Sequence, residues 1–221
     1  MNNWDLYNLV HLAANKDVLS NWLTPPQFEL ELIAKNIRLM RNLLGLPERY
    51  QPGTMQAGAS ASRVIETDLL PFLIPDSEQT LTNQETDILD WYYINDFWTD
   101  TSLSSDIISL QELGQRLNHP IKKATDKYPY AILIKKGLKV WPSTTTKVKV
   151  SYYKTPKTPK FVTTVNAGTG ELEYDATNST ELEWGDQNKL DIVYMILQVF
   201  GVNIEKQDLE QLAQKLVETG K

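Results

Sequence analysis

Few side chains in this sequence are of the types that catalyse reactions. The 221 residues include two histidines, His11 and His119, and no cysteine, which excludes thiolate chemistry and Cys-based zinc sites. His11 lies beside an apolar stripe and His119 precedes a proline, and neither belongs to an HExxH pattern. The stretch GASAS around Ser60 lacks the second glycine of a nucleophile elbow. We therefore expect no enzyme, no metal site and no cofactor.

Carboxylates are the one plentiful reactive group. Paired carboxylates can hydrolyse glycosides or hold Ca²⁺, so a cell-wall hydrolase is one alternative. These side chains alternate with apolar and aromatic residues, however, which is typical of the solvent-facing side of strands. The residues concerned are Glu171, Glu173, Asp175, Glu181 and Glu183.

Lysines dominate residues 119–160. This segment holds eleven Lys, no Arg and the single acidic residue Asp126, a net charge of +10, whereas residues 1–118 carry −9 and residues 161–221 carry −7. Without arginine, bidentate recognition of bases is not expected, but lysine attracts a phosphate backbone without regard to sequence. The alternatives are a DNA-channel lining, a contact between subunits or a solvated lysine-rich sheet. The candidate lysines are Lys135, Lys136, Lys139, Lys147 and Lys149.

The stretch YYKTPKTP lies near the end of this segment. Each proline restricts the residue before it to extended geometry, so we predict that Thr155–Pro159 form a semi-rigid arm without continuous ladder bonding. The arm would either link two sheets or reach a neighbouring subunit. The candidate inter-subunit arm as a whole comprises Tyr152, Tyr153, Lys154, Thr155, Pro156, Lys157, Thr158 and Pro159.

Apolar residues at helical spacing predict the helices that carry these groups. The first covers residues 4–15, and the second follows the cap residue Thr24 and ends at Gly45. Ser104 and Ser105 are predicted to cap a helix over residues 106–117. Asp186 is predicted to cap another, over residues 187–200, which pairs with residues 205–219 as a helical hairpin.

Short alternating stretches between residues 128 and 184 predict an antiparallel β block. We expect strands at residues 131–135, 138–141 and 145–153, and a hairpin whose turn lies at residues 166–170. The fold class is therefore α+β. We predict a mainly helical part at residues 1–118 with a mobile loop at 50–62, the β block at 119–184, and a helical hairpin at 185–221 that packs on the N-terminal helices.

Residues 87–98 fit either a strand or a helix. Their aromatic side chains suggest a second hypothesis for function, a module that recognises carbohydrate or a host surface, although such clusters more often form a core or a subunit interface. The aromatic residues are Trp91, Tyr92, Tyr93, Phe97 and Trp98.

Composition fits a globular protein that does not enter a membrane. Hydrophobic residues make up 41% and charged residues 23% of the sequence, and no apolar run approaches the roughly 20 residues that span a bilayer. The N-terminus has no basic segment ahead of an apolar one. We expect synthesis in a reducing cytoplasm.

Two stretches resemble a known class of proteins. They are RLNHPIKKATDKYPYAILIKKGLKVWPSTTTKVKVSYYKTPKTPKF and YDATNSTELEWGDQNKLDIVYMILQVFGVNI. Both are similar to virion structural proteins of tailed bacteriophages, namely the head–tail connector (ring or adaptor) proteins of crAss-like and related podovirus-type phages. The resemblance covers about residues 110–220. Its most specific parts are the Tyr-Tyr-Lys-Thr-Pro element at 152–156 and the stretch from Glu-Trp to Gly-Val-Asn-Ile at 183–204.

The resemblance implies a non-enzymatic ring, commonly twelve-fold, that lies below the portal and surrounds the channel for DNA. Its implied partners are further copies of this chain, the phage portal, neighbouring tail rings and, without sequence specificity, packaged DNA. The implied location is the virion, after synthesis in the host cytoplasm. Contacts in such a ring join two different surfaces of adjacent copies, which suits the uneven charge along the chain.

Overall fold

The computed structural model describes residues 1–14, 23–45, 67–117, 119 and 121–199. Its elements confirm the α+β class. The helices are α1 (Asn3–Ala14), α2 (Pro25–Leu43), a 3-10 turn (Leu70–Phe72), α3 (Leu110–Leu117) and α4 (Asp186–Val199). The strands are β1 (Leu73–Thr80), β2 (Trp91–Trp98), β3 (Asp106–Ile107), β4 (Tyr130–Ile134), β5 (Gly137–Trp141), β6 (Lys147–Lys154), β7 (Thr163–Val165) and β8 (Leu172–Tyr174).

The chain forms two compact units. The helical unit comprises residues 1–71 and 156–221, and the β unit comprises residues 72–155. These limits differ from the predicted divisions after residues 118 and 184. The reason is that β1 and β2, from the part predicted to be mainly helical, pair on either side of β6. Such long-range pairing leaves no mark in local sequence.

In the helical unit, α4 contacts both α1 and α2. Helix α2 begins and ends as predicted: Gln27 Oε1 accepts the Thr24 backbone N–H at 3.1 Å, and Gly45 follows the helix with φ of 66°. The buried side of α2 includes Leu39 and the stem of Lys35, whereas Ile33 and Ile37 are half-buried.

Aromatic rings form the centre of the helical unit. Phe161 is buried, and its ring centroid lies 5.1 Å from those of Tyr7 and Phe28 and 5.6 Å from that of Tyr174. Trp4 stacks on the same group from α1. The short β7–β8 hairpin is thus attached to α1 and α2 through Tyr174 and Phe161.

The β unit contains two three-stranded sheets, in the orders β1-β6-β2 and β3-β4-β5. Strand β6 alternates as predicted: Val148 and Val150 are buried, whereas Lys147 is exposed. These valines pack with Phe97 from β2 and with Leu138 and Val140 from β5. Within the segment 87–98, whose sequence fits either a strand or a helix, residues 91–98 form strand β2 because β6 offers a partner along most of its length.

Helix α3 covers the other face of the β3-β4-β5 sheet, through a cluster that includes Leu113, Tyr130 and Ile132. The helix begins four residues later than predicted. Asp106 and Ile107 pair in parallel with β4, so their backbone groups are used by the sheet. Ser109, and neither Ser104 nor Ser105, accepts a helix N–H, that of Glu112 at 3.2 Å.

The β7–β8 hairpin at residues 163–174 agrees with the predicted turn at residues 166–170. The predicted loop at 50–62, which includes Ser60, and the predicted helix at 205–219 lie outside the described residues. No helix in the described part of the chain is long and apolar enough to cross a membrane.

Candidate subunit-contact surface

Four of the five candidate lysines lie beside carboxylates. Lys147 and Lys149 project from β6, where Lys147 Nζ is 2.6 Å from Glu78 Oε1 and Lys149 Nζ is 3.2 Å from Asp100 Oδ1. The hydrogen bond to Lys147 lowers the pKa of Glu78, and the bond to Asp100 raises the pKa of Lys149. Both lysine pKa values are raised because the neighbouring carboxylates favour the charged form.

The β4–β5 hairpin shows the same pairing of lysines with carboxylates. Lys139 Nζ lies 3.0 Å from Glu85 Oε1, and Lys136 Nζ lies 3.4 Å from Asp87 Oδ1. Lys135 is exposed and forms no ion pair with any residue that the structure describes. Four of the lysine charges in residues 119–160 are therefore offset by acidic residues from earlier in the chain. These pairs could not be identified from the order of residues in the sequence.

Uncompensated positive charge remains at a cleft in the β unit. The cleft has a volume of 360 Å³, and its walls include Arg116, Ile121, Lys122, Lys123, Tyr128 and Tyr130. Arg116 is neutralised, because its guanidinium lies 3.0 Å from Asp106 and 2.7 Å from Glu112. Lys122 and Lys123 are exposed and form no ion pair within the described part of the chain. Lys122 and Lys123 were not among the candidate residues predicted from the sequence. The only sequence feature that could have indicated them is that the two lysines are adjacent.

Apolar side chains share this cleft with the lysines. Ile121 is 87% exposed and Tyr128 is 56% exposed. Leu103 is 71% exposed, and its backbone N–H donates to the carbonyl of Lys127 at 2.8 Å, beside Tyr128. This surface is apolar with a basic rim. It resembles a surface that contacts another protein more than the lining of a DNA channel.

The predicted arm is divided between the two units. Tyr152, Tyr153 and Lys154 belong to the central strand β6, with Leu73, Ile74 and Trp91 among their ladder partners, which agrees with the strand predicted at residues 145–153. A strand between two others fixes them by hydrogen bonds on both sides.

Residues 156–159 belong to no strand ladder, as predicted, but are attached to their own chain. Pro156 and Pro159 are buried. Lys157 donates its N–H to Glu183 at 3.1 Å, and its carbonyl accepts from Asn36 Nδ2 at 3.0 Å. Lys157 and Thr158 keep exposed side chains, and Thr155 is exposed at the end of the β unit, where its N–H donates to the Asp90 carbonyl at 2.7 Å. Contact of this segment with a neighbouring subunit stays a prediction.

The predicted carboxylate cluster does not converge. Glu181 accepts the N–H of Asn3 at the start of α1 at 2.7 Å and the hydroxyl of Tyr174, whereas Glu183 binds Lys157. Asp175 accepts the N–H groups of Thr177 and Asn178. Within the described ranges no group of three or more His, Asp or Glu could hold a metal ion.

Burial raises the pKa of Tyr174 to about 12, and its hydrogen bond to Glu181 adds to this effect. A neutral phenol is the better donor to a carboxylate, so the pair is stable at neutral pH.

The two histidines have packing partners. The ring of His11 lies 4.4 Å from that of Tyr7, and its Nε2 is 3.2 Å from the carbonyl of Leu23. His119 Nδ1 accepts the N–H groups of Ile121 and Lys122, both at 3.2 Å.

The aromatic residues of β2 do not form one platform. Phe97 is fully buried, Trp91 donates its indole N–H to the carbonyl of Lys135 at 3.4 Å, and Tyr93 is 41% exposed.

Comparison of the sequence with protein families and with curated proteins found no match.

Proposed function

We propose that this chain is a non-enzymatic structural protein of a tailed-phage virion that forms a ring in the head–tail connector, around the DNA channel and between portal and tail. The observation that carries the proposal is the exposure of large aliphatic side chains. Five of them within the described residues are at least 68% exposed, namely Leu30, Leu89, Leu103, Leu110 and Ile121. Exposed apolar side chains that share one surface mark a site of contact with other chains, and Ile121 and Tyr128, 87% and 56% exposed, line the same cleft.

The distribution of these side chains also supports a ring. Leu30 belongs to the helical unit, whereas Leu103 and Ile121 belong to the β unit. A ring copy contacts two neighbours through two different surfaces, so exposed apolar residues are expected in more than one region of the chain. The resemblance of residues 110–220 to connector proteins agrees with this arrangement.

The charge pairing refines the role of the candidate lysines. Lysines that already face a carboxylate attract DNA weakly, because the local field is close to neutral. Weak, sequence-blind attraction suits a channel through which DNA must slide. Among the five candidates, Lys135 is the lysine most favoured for contact with DNA, because it forms no ion pair with any described residue.

Electron microscopy and mass measurement test the proposal. The purified chain is examined alone and after mixing with the portal protein of the same phage. Closed rings, stacked on the portal in the mixture, are expected, and the mass gives the copy number. A chain that stays monomeric and ignores the portal would overturn the connector and shift the choice to the binding module, for which a glycan screen is the next test.

A further inference from the structure

The β7–β8 hairpin is an acidic projection with an uncovered apolar face. Val165 and Leu172 are cross-strand partners and are 65% and 42% exposed. The hairpin carries the exposed carboxylates Glu171 and Glu173, and residues 161–188 contain no lysine or arginine. Its base is fixed, because Tyr174 stacks on Trp4 and Phe161. The tip therefore extends from a rigid base with its apolar pair open.

The cleft of the β unit offers the complementary features. Ile121 and Tyr128 are exposed, and Lys122 and Lys123 form no ion pair with a described carboxylate. Asp106, which also lines the cleft, is paired with Arg116. Its walls are ordered by local bonds: the Tyr128 N–H donates to the Thr125 carbonyl at 3.0 Å, and the Arg116 guanidinium lies 5.8 Å from the centroid of the Tyr130 ring. Such a preorganised surface loses little entropy on binding.

From this complementarity we infer that the β7–β8 hairpin of one copy docks at the Ile121–Tyr130 cleft of the next copy. The inference rests on the proposed ring and names its subunit contact. Leu172 or Val165 would enter the cleft, and Glu171 and Glu173, which point to the opposite face of the narrow hairpin, would reach Lys122 and Lys123 at the rim of the cleft. A volume of 360 Å³ is near the lower end of ligand pockets, about 300–1,000 Å³, and so accommodates a few side chains of the tip while the strands stay outside.

A second copy is the occupant that the charges favour. Surfaces of opposite charge within one chain steer copies together head to tail. The cleft and the hairpin are different surfaces, so the contact is heterologous and closes into a ring when the rotation between copies permits. If the hairpin carried lysines, or if carboxylates were paired with the lysines of the cleft, the two surfaces would not be complementary in charge.

Disulfide trapping tests the contact directly, since the chain has no cysteine of its own. Protein with Leu172→Cys is mixed with protein carrying Ile121→Cys under conditions of assembly and then oxidised. A disulfide forms when the Cα atoms approach within about 4.4–6.8 Å, so a covalent dimer of the two variants is expected. The control pair is Leu172→Cys with Asn95→Cys, because Asn95 is exposed, as Ile121 is, but lies outside the proposed contact.

Charge reversal gives an independent measurement. Glu171→Lys with Glu173→Lys is expected to weaken assembly ~10-fold or more, and Lys122→Glu with Lys123→Glu to do the same. A chain that carries all four changes is expected to assemble again. All four side chains are exposed, so the variants should fold, which circular dichroism verifies.

The outcomes separate this inference from the proposed ring. Assembly without the specific disulfide, or assembly that ignores both reversals, would overturn the hairpin contact and leave the ring. A disulfide within a single chain carrying both Leu172→Cys and Ile121→Cys, in place of one between chains, would overturn the contact between copies as well. Failure of the unmodified chain to assemble alone or with the portal would overturn both.

Discussion

Asn36 and Trp184 are joined by a buried hydrogen bond across 148 positions of sequence. Trp184 Nε1 donates to Asn36 Oδ1 at 2.6 Å, and the other end of the amide donates to the carbonyl of Lys157 at 3.0 Å. Asn36 is 2% and Trp184 is 3% exposed. The Asn36 side chain of α2 thus binds both the proline-containing segment, at Lys157, and Trp184, which precedes α4.

Replacement of Asn36 is expected to destabilise the protein. Asn36→Ala removes the acceptor of the buried indole N–H and the donor to the part-buried Lys157 carbonyl, at an expected cost of about 1–3 kcal/mol. Urea unfolding followed by tryptophan fluorescence measures the change. Asn42→Ala, an exposed position of the same helix, is the control and should change stability little. Equal effects at the two positions would show that the buried amide contributes nothing specific.

Gly137 is required where β5 begins. Its φ is 118°, and a Cβ atom there would lie 2.4 Å from Thr86 Oγ1, which itself accepts the Leu138 N–H at 2.7 Å. We expect Gly137→Ala to lower the free energy of unfolding by at least about 1–3 kcal/mol, the cost of a strained backbone position.

Gly114 is the matched position in the same unit. It lies within α3, and a Cβ there would meet no atom within 4 Å. Gly114→Ala should therefore raise stability by about 0.5–1 kcal/mol, since alanine loses less backbone entropy in a helix. Thermal unfolding of the two variants is expected to shift in opposite directions. A neutral Gly137→Ala would contradict the steric argument.

Tyr174 should make stability depend on pH in alkaline solution. Its folded pKa of about 12 lies above the ordinary tyrosine pKa of 10.0. A raised pKa gives stability that is complete below pH 10 and is lost as pH rises towards 12, because the unfolded chain releases the proton first. Chemical unfolding at several pH values measures the loss, and Tyr174→Phe should make it smaller. An unchanged pH profile in that variant would refute the assignment.

Lys135 and Lys149 should differ in their effect on DNA. If the lysine-bearing surface faces the channel, Lys135→Glu reduces packaging or retention of DNA and leaves ring formation intact, and Lys149→Glu has a smaller effect because Asp100 already lies beside that lysine. Electron microscopy of particles complemented with each variant distinguishes filled from empty heads. Loss of rings in either variant would instead assign that lysine to subunit contact.

Local patterns were sufficient to predict most helices and turns. The cap at Thr24 and the stop at Gly45 depend on neighbouring residues alone, and so does the turn at 166–170. The alternation of Lys147, Val148, Lys149 and Val150 required only that one face of β6 be buried. These features involve residues a few positions apart, for which sequence order and distance agree.

Tertiary structure alone decided which distant residues meet. It placed Tyr152–Lys154 in the centre of a sheet, set acidic residues 78–100 beside four of the lysines, and left Lys122 and Lys123 without a described partner. Composition determined the uneven charge along the chain, but the field at a surface depends on which charges lie within a few ångströms of one another. Pairing between strands sets those distances, and it is decided by packing of the whole core.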